Sequence, residues 1–255
     1  FNFPNVMARK AAQIADFADF RVKQLNDGRF KFIRAHAGFL DAHTLCLSNG
    51  RKLAARHFVI ATGSRVAPSP LPQLDEAGFI NSDDAVSLKK LPKWLIILGG
   101  GAIACEFAQF FARFGVKVTL IQRSERILKE FDADAGEEME KVFRRDGIQV
   151  FTGTKQVDAK RKGKLKTVSF EQNGKRVSVS AEEILFALGR VPNTKPLALE
   201  NAGVKTEPNG RIITNAQMQT SASHIFAAGD CTGPHEIVHI AIQQGETAVH
   251  NIVKS

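Results

Sequence analysis

Trp94-Leu-Ile-Ile-Leu98-Gly99-Gly-Gly101-Ala-Ile-Ala104-Cys-Glu106 joins an unbroken apolar run to a glycine triplet and then to the first turn of a different pattern. The apolar run, closed by glycine, predicts a buried strand over Trp94–Leu98. Beyond the glycines, Ile103, Phe107, Phe110, Phe111 and Phe114 recur at helical spacing, and Gly115 supplies a stop. Val116–Ile121 then predicts a second buried strand. Strand, glycine turn, helix and strand within about 30 residues form a βαβ unit, whose crossover requires a parallel sheet. The fold class is therefore α/β.

Gly99, Gly101 and Ala104 fit the spacing G-x-G-x-x-A, with Ala102 and Ile103 completing the turn. Gly99 permits a tight turn, Gly101 lets a backbone approach a pyrophosphate, and Ala104 allows the helix to lie close on the strand. The helix amino terminus adds free N–H groups and a favourable dipole for phosphate. A tight βα turn that binds nothing would use the same residues. Cofactor choice falls at the end of the next strand, where an acid about twenty residues on would take a ribose 2′-hydroxyl. Here the strand ends Ile121-Gln122-Arg123-Ser124, with Lys129 shortly after. A carboxylate would repel a 2′-phosphate, whereas the planar fork of Arg123 matches one. NADP is the first expectation and NAD the second; a merely solvated strand-end charge at Arg123 is the alternative.

Outward from this unit, apolar positions Val6, Ile14, Phe17, Val22 and Leu25 predict a loosely amphipathic helix over residues 6–25. Short strands are expected at Phe30–Ile33, Thr44–Leu47 and His57–Ala61, with Asn49-Gly50 as a hairpin turn. Pro68, Pro70 and Pro72 make a breaker-rich connector, and Ser82-Asp83-Asp84 caps a short helix before Pro92. A further helix is expected over Glu137–Arg145, and strands near Gln149–Thr152, Thr167–Phe170, Arg176–Val179 and Glu183–Ala187. Lys155–Lys166 carries six basic residues around Gly163 and reads as a solvated hairpin tip.

Phe58-Val-Ile-Ala-Thr-Gly63 and Ile184-Leu-Phe-Ala-Leu-Gly189 share one cadence, an apolar strand ending in Ala-x-Gly, which returns in Ile225-Phe-Ala-Ala-Gly229. Two nucleotide-binding units of one build would explain it. The second unit's glycine turn begins ninety residues before Gly189, and no G-x-G-x-x-G lies upstream of Gly63. The expectation is that the first unit is truncated.

Lys and Arg number 35 against 26 Asp and Glu, a formal charge of +9. Basic charge can serve nucleic acid, but the absence of tyrosine and the single Trp94 leave only Phe for base stacking, so no nucleic-acid partner is expected. Three well-separated cysteines, Cys46, Cys105 and Cys231, exclude a disulfide scaffold, a cysteine-rich zinc site and a local dithiol. His235 and His239 lack a carboxylate and cysteine set at metal spacing, so no metal site is expected. No stretch reaches the ~18 apolar residues of a membrane span. Without a signal peptide the expected compartment is the cytoplasm.

Four motifs in this order resemble the pyridine nucleotide–disulfide oxidoreductases, the FAD enzymes that include glutathione reductase, mercuric reductase and dihydrolipoamide dehydrogenase. They are Ala61-Thr62-Gly63-Ser64, Gly99–Glu106, Gly189-Arg190-Val-Pro-Asn193 and Ala227-Ala-Gly229-Asp230. The resemblance implies that Ala61, Thr62 and Gly63 lie against FAD, and that Asp230, after Gly229, accepts from the flavin ribitol. It implies that Gly189, Arg190 and Asn193 form an interdomain turn, and that His239 lies on a stretch beside the isoalloxazine. Arg123 and Lys129 fall where NADP-using members carry phosphate-binding cations, with Ser124 between them. Glu106 would face a flavin-side lysine that this sequence does not contain. Ala102 stands where some members place an aromatic gate, so such gating is not carried over.

The expected architecture is a Rossmann-like NAD(P)-binding domain over residues 65–192, with part of a related FAD-binding domain from 1–64 and a return segment over 193–255. The implied chemistry of the intact protein is hydride transfer from NADPH to FAD and on to a disulfide or similar small-molecule acceptor, in a homodimer. The family's redox cysteine pair and its dimerisation-domain base do not occur in this sequence. No residue of this chain is therefore assigned a catalytic role, and the fragment is expected to be inactive alone. A stand-alone nucleotide-binding module, or a basic nucleic-acid-binding domain, are the alternatives.

Overall fold

The computed structural model describes residues 2–233 and 235–254. In chain order the elements begin with α1 (Phe3–Leu25), β1 (Ala37–Asp41), β2 (Thr44–Leu47), β3 (Lys52–Ala54), β4 (Phe58–Ile60) and β5 (Ser64–Val66). Then come α2 (Pro72–Ala77), α3 (Ser82–Ala85), β6 (Trp94–Leu98), α4 (Ala102–Arg113), β7 (Lys117–Ile121), α5 (Ala133–Arg145) and β8 (Gln149–Phe151). The last group is β9 (Lys155–Lys162), β10 (Leu165–Gln172), β11 (Lys175–Ala181), β12 (Glu183–Phe186), β13 (Arg190–Pro192), β14 (Ile225–Ala227) and α6 (Val238–Lys254). The mixed α/β class is as read from the sequence. Among the described residues no helix is long and apolar enough to cross a membrane.

The chain divides into two compact units: the segment ending at Asp27 with Pro68–Gly189, and Gly28–Ala67 with the segment from Arg190 onward. The expected division into 1–64, 65–192 and 193–255 is by function, and these units are by contact. The opening helix shows the difference, because α1 belongs by contact to the unit built around Pro68–Gly189. Its buried Phe3 meets Phe114 edge-on at 5.4 Å, a contact between distant elements that no local periodicity reports.

The first unit is organised by a four-stranded parallel sheet in the order β12-β6-β7-β8. Leu95, Ile97, Val118, Leu120 and Val150 bury one face against Phe111 and Ala108 of α4 and Phe143 of α5. Fully burying such a side chain is worth about 1.5–3 kcal/mol, so this one cluster carries much of the unit's stability. Against the other side lies an antiparallel sheet in the order β11-β10-β9.

The solvated hairpin tip is present, with residues 160–165 exposed about the Gly163 turn, and one of its six cations is the exception. Lys155–Lys162 is a paired strand, with Lys162 opposite Leu165 across the Gly163 turn. Lys166 is only 7% exposed and its ammonium pairs with the Glu183 carboxylate of β12. Three smaller differences follow from local chemistry. Phe30–Ile33 is irregular, Phe30 and Phe32 are each half exposed, and the strand begins at Ala37. The short helix α3 is capped one residue earlier, by Asn81, in a reciprocal box with Asp84. α5 starts at Ala133, four residues before the amphipathic pattern becomes clear.

In the second unit β1, β2 and β3 form an antiparallel meander, and Asn49-Gly50 makes the β2–β3 turn with Gly50 at φ +82°. β4 pairs in parallel with β14, and β5 antiparallel with β13. Phe39, Ile60, Val204, Ile212, Ile225 and Cys231 form its core.

Candidate functional site

The glycine turn connects the carboxyl end of β6 to α4. Gly99 has φ +116°, and a Cβ there would overlap the Ala187 carbonyl that follows β12. Its N–H donates to Ile121 O at 2.9 Å, locking the turn to the end of β7. Gly101 differs in kind. Its φ of −79° suits any residue, and an added Cβ would meet nothing within 4 Å. The backbone therefore does not need glycine there; clear space in front of it is what glycine provides. Gly101 is also the N-cap of α4 and supplies no side-chain cap, so the helix presents its first-turn N–H groups to that space. Ala104 is 0% exposed and seats the helix on the sheet. Ala102 and Glu106 are exposed and Ile103 is half-buried.

The loop after β7 folds back onto this turn. Leu128, at φ +50°, donates its N–H to Gly100 O at 2.6 Å. Arg126 ties the loop by donating to the carbonyls of Lys129 (3.1 Å) and Phe131 (3.0 Å). Gln122 is only 8% exposed, and its side chain lies under Gly100 while its carbonyl accepts from Thr154. Gln122 is thus a support for the turn. Arg123 is exposed and makes no ion pair among the described residues. Lys129 is exposed and pairs with Glu130 at 3.2 Å; Ser124 is half-buried and its carbonyl accepts from Gly153 at 2.9 Å. Arg126 and Leu128 were invisible to sequence reading, because their contacts are set by a loop without periodicity.

In the second unit Ala61 and Thr62 are exposed after β4, and Gly63 takes φ +66°. Ser64 Oγ donates to Asp230 Oδ2 at 2.8 Å and accepts from Arg190 Nε at 2.7 Å, while Arg190 Nη2 donates to Ser64 O at 3.0 Å. Asn193 donates its backbone N–H to Gly63 O at 2.9 Å. The Ala-Thr-Gly-Ser segment, Arg190, Asn193 and Asp230 are therefore one hydrogen-bonded cluster, although more than a hundred residues separate that segment from the other three. Gly229 is buried, donates to Gln244 Oε1 at 2.7 Å, and leaves only 3.3 Å between an added Cβ and the Ala241 side chain of α6. His239 is exposed on the first turn of α6. Glu236 has its carboxyl pushed above the usual range by burial first and by the Asp230 charge second, with Arg190 and Arg211 opposing. Gly189 ends the first unit at φ +115°.

The thiols occupy three separate elements: Cys46 in β2, Cys105 in α4 and Cys231 in the turn after β14. Burial first, and the neighbouring Glu106 charge second, push the Cys105 thiol up to about 12. Burial also raises that of Cys231, whose Sγ lies 3.2 Å from Ala228 O. Only thiolate alkylates, so a folded chain treated with iodoacetamide near neutral pH should label rapidly at half-buried Cys46 alone. Peptide mass spectrometry checks this; equal labelling of Cys105 would contradict it. Among the described residues no group of three or more His, Cys, Asp or Glu is placed to hold a metal ion.

A glycine turn on a parallel sheet in one unit and an Ala-Thr-Gly/Gly-Asp cluster in the other define a class. The family model for pyridine nucleotide-disulphide oxidoreductase matches residues 5–245, and the chain belongs to that family. It is 35% identical over 253 residues to a mercuric reductase of Staphylococcus aureus, covering 96% of this chain and 46% of that protein. It is 38% identical over 201 residues to a dihydrolipoyl dehydrogenase of Bacillus subtilis (strain 168), covering 78% of this chain and 42% of that one. Among solved structures, the Cu(II) complex of the HOCl-induced flavoprotein disulfide reductase RclA from Escherichia coli superposes with a TM-score of 0.89 at 26% identity. That match covers 99% of this chain and 58% of the other. The chain spans about half the length of the curated relatives it matches.

Proposed function

We propose that the unit built around Pro68–Gly189 is the NADPH-binding core of a flavin-dependent oxidoreductase, and that the other unit contributes to its FAD site. The observation that carries this is Gly101: a glycine its backbone does not require, facing open space at an uncapped helix terminus. A pyrophosphate fits that cradle, since it needs close approach to the backbone and free N–H donors. The N–H groups of Ala102, Ile103 and Ala104 would hold it, and Arg123, with Lys129 and Ser124 nearby, would take the 2′-phosphate. Gly189, at the end of the same unit, is assigned to the cofactor site with them.

On the flavin side, Ala61, Thr62, Gly63, Gly229 and Asp230 would line FAD. Asp230 is already oriented by Ser64 and Arg190, so its second oxygen can accept a further hydrogen bond. His239 is exposed and available to the same purpose, and Glu106, exposed on α4, would face a flavin-side lysine as in the family. When bound, NADPH supplies a hydride that passes through FAD to a disulfide or similar acceptor. The chain's own share is to bind and orient. None of its three thiols has a partner thiol in its own element, so disulfide reduction by these residues alone is not expected. A cytoplasmic, homodimeric parent belongs to the same reading. A nucleic-acid role is disfavoured because no aromatic residue interleaves the basic stretch and Lys166 within it is buried on Glu183.

The test is cofactor preference. Arg123→Glu should weaken NADP binding by about 1.5–3 kcal/mol, the scale of a charge-assisted hydrogen bond, and leave NAD binding unchanged or better. Calorimetric titration of both nucleotides into both proteins checks it. Equal affinity of the unmodified protein for NADP and NAD would overturn the assignment of Arg123.

A further inference from the structure

The first unit carries a cavity of about 330 Å³ at the opposite strand ends from the glycine turn. It opens where β6 and β7 begin, between the parallel sheet and the β11 wall formed by Val179–Ala181. Trp94 marks it: the indole is 40% exposed, whereas Leu95, Ile96, Ile97 and Leu98 behind it are at most 2% exposed. Trp94 and Lys117 are direct register partners on adjacent parallel strands, which puts both side chains on one face of the sheet. Thr119, two residues on, and its partner Gln149 share that face.

The charge in this cavity has one sign. Lys117 makes no ion pair among the described residues. Neither of the carboxylates closest in sequence to the lining pairs with Lys117. Asp146 pairs with Arg113 at 3.1 Å, and Glu182 accepts the Lys93 N–H at 2.7 Å. Thr119 Oγ1 donates to Gln149 Oε1 at 3.2 Å, which leaves the Gln149 amide N–H groups to donate outward. An aromatic face beside an unpaired ammonium and a free amide donor suits a planar anion. The volume lies at the low end of the ~300–1,000 Å³ of small-molecule sites, room for one ring.

We propose that this cavity is an accessory site for a single-ring aromatic carboxylate, stacked on Trp94 and paired with Lys117. It is independent of the dinucleotide reading, because its lining shares no residue with the Gly99–Ala104 turn or the Arg123 loop. No chemistry is assigned to it.

The chain has one tryptophan and no tyrosine, so intrinsic fluorescence reports on Trp94 alone. Benzoate is the probe and benzylamine the control of opposite charge. Benzoate should change the emission saturably with Kd below about 1 mM, within reach of so small a ligand. It should also shift the single indole N–H resonance. Lys117→Met, at an exposed strand start, should melt like the parent and raise the Kd about tenfold or more, one charge-assisted contact. A linear, non-saturating response to benzoate, an unchanged Kd in Lys117→Met, or equal binding of benzylamine would each overturn the proposal.

Discussion

Gly99→Ala should destabilise the first unit by about 2–4 kcal/mol, whereas Gly101→Ala, the same chemical change two residues on, should cost less than about 1 kcal/mol. The difference is positional. At φ +116° any L side chain is strained, and the new methyl would run into the Ala187 carbonyl where the ends of β6 and β12 meet. Gly101 sits in an ordinary region with no atom within 4 Å of the added carbon. Alanine is the poorer N-cap, a loss partly offset by its lower conformational entropy in the unfolded chain. Urea denaturation of the two variants beside the parent checks this. Equal losses, or a larger loss at Gly101, would mean that Gly101 is held by packing and that its open space has another cause.

The second large effect lies at Lys166. Glu183→Gln should cost about 3 kcal/mol, because it keeps the shape and the Ile184 N–H contact at 3.0 Å but leaves a buried ammonium unpaired. Replacing both partners, Lys166→Met with Glu183→Leu, should recover most of that loss, since an apolar pair of similar volume needs no charge compensation. The pair joins the antiparallel sheet to β12 and so bears on the parallel sheet as well. Denaturant midpoints of the single and double variants test it. A double variant as unstable as the sum of its singles would contradict the interpretation.

The βαβ unit was legible because its signals are short-range: the apolar run Trp94–Leu98, the glycines, and the phenylalanines of α4 at helical spacing. What the sequence concealed depends on partners far along the chain. Lys166 looks like one more cation in a basic hairpin until Glu183, in another sheet, is brought against it. Phe30 and Phe32 alternate like a strand but remain half exposed outside any strand, so periodicity alone misled. Gln122, at the strand end beside Arg123, gave no sign in the sequence of its burial under Gly100, where it supports the turn while Arg123 stays exposed. The motifs that hold Ser64, Arg190 and Asp230 were singled out by family resemblance, whereas their meeting in one hydrogen-bonded cluster required the pairing of β5 with β13.

The central claim is that the Gly99–Ala104 turn is a pyrophosphate cradle. Calorimetric titration of NADPH into the parent chain and into Gly101→Val, with both shown to melt alike, tests it most directly. Saturable one-to-one binding by the parent, weakened at least about a hundredfold (about 2.7 kcal/mol) in the variant, is the predicted result. A folded Gly101→Val chain that binds NADPH as tightly as the parent would contradict the account.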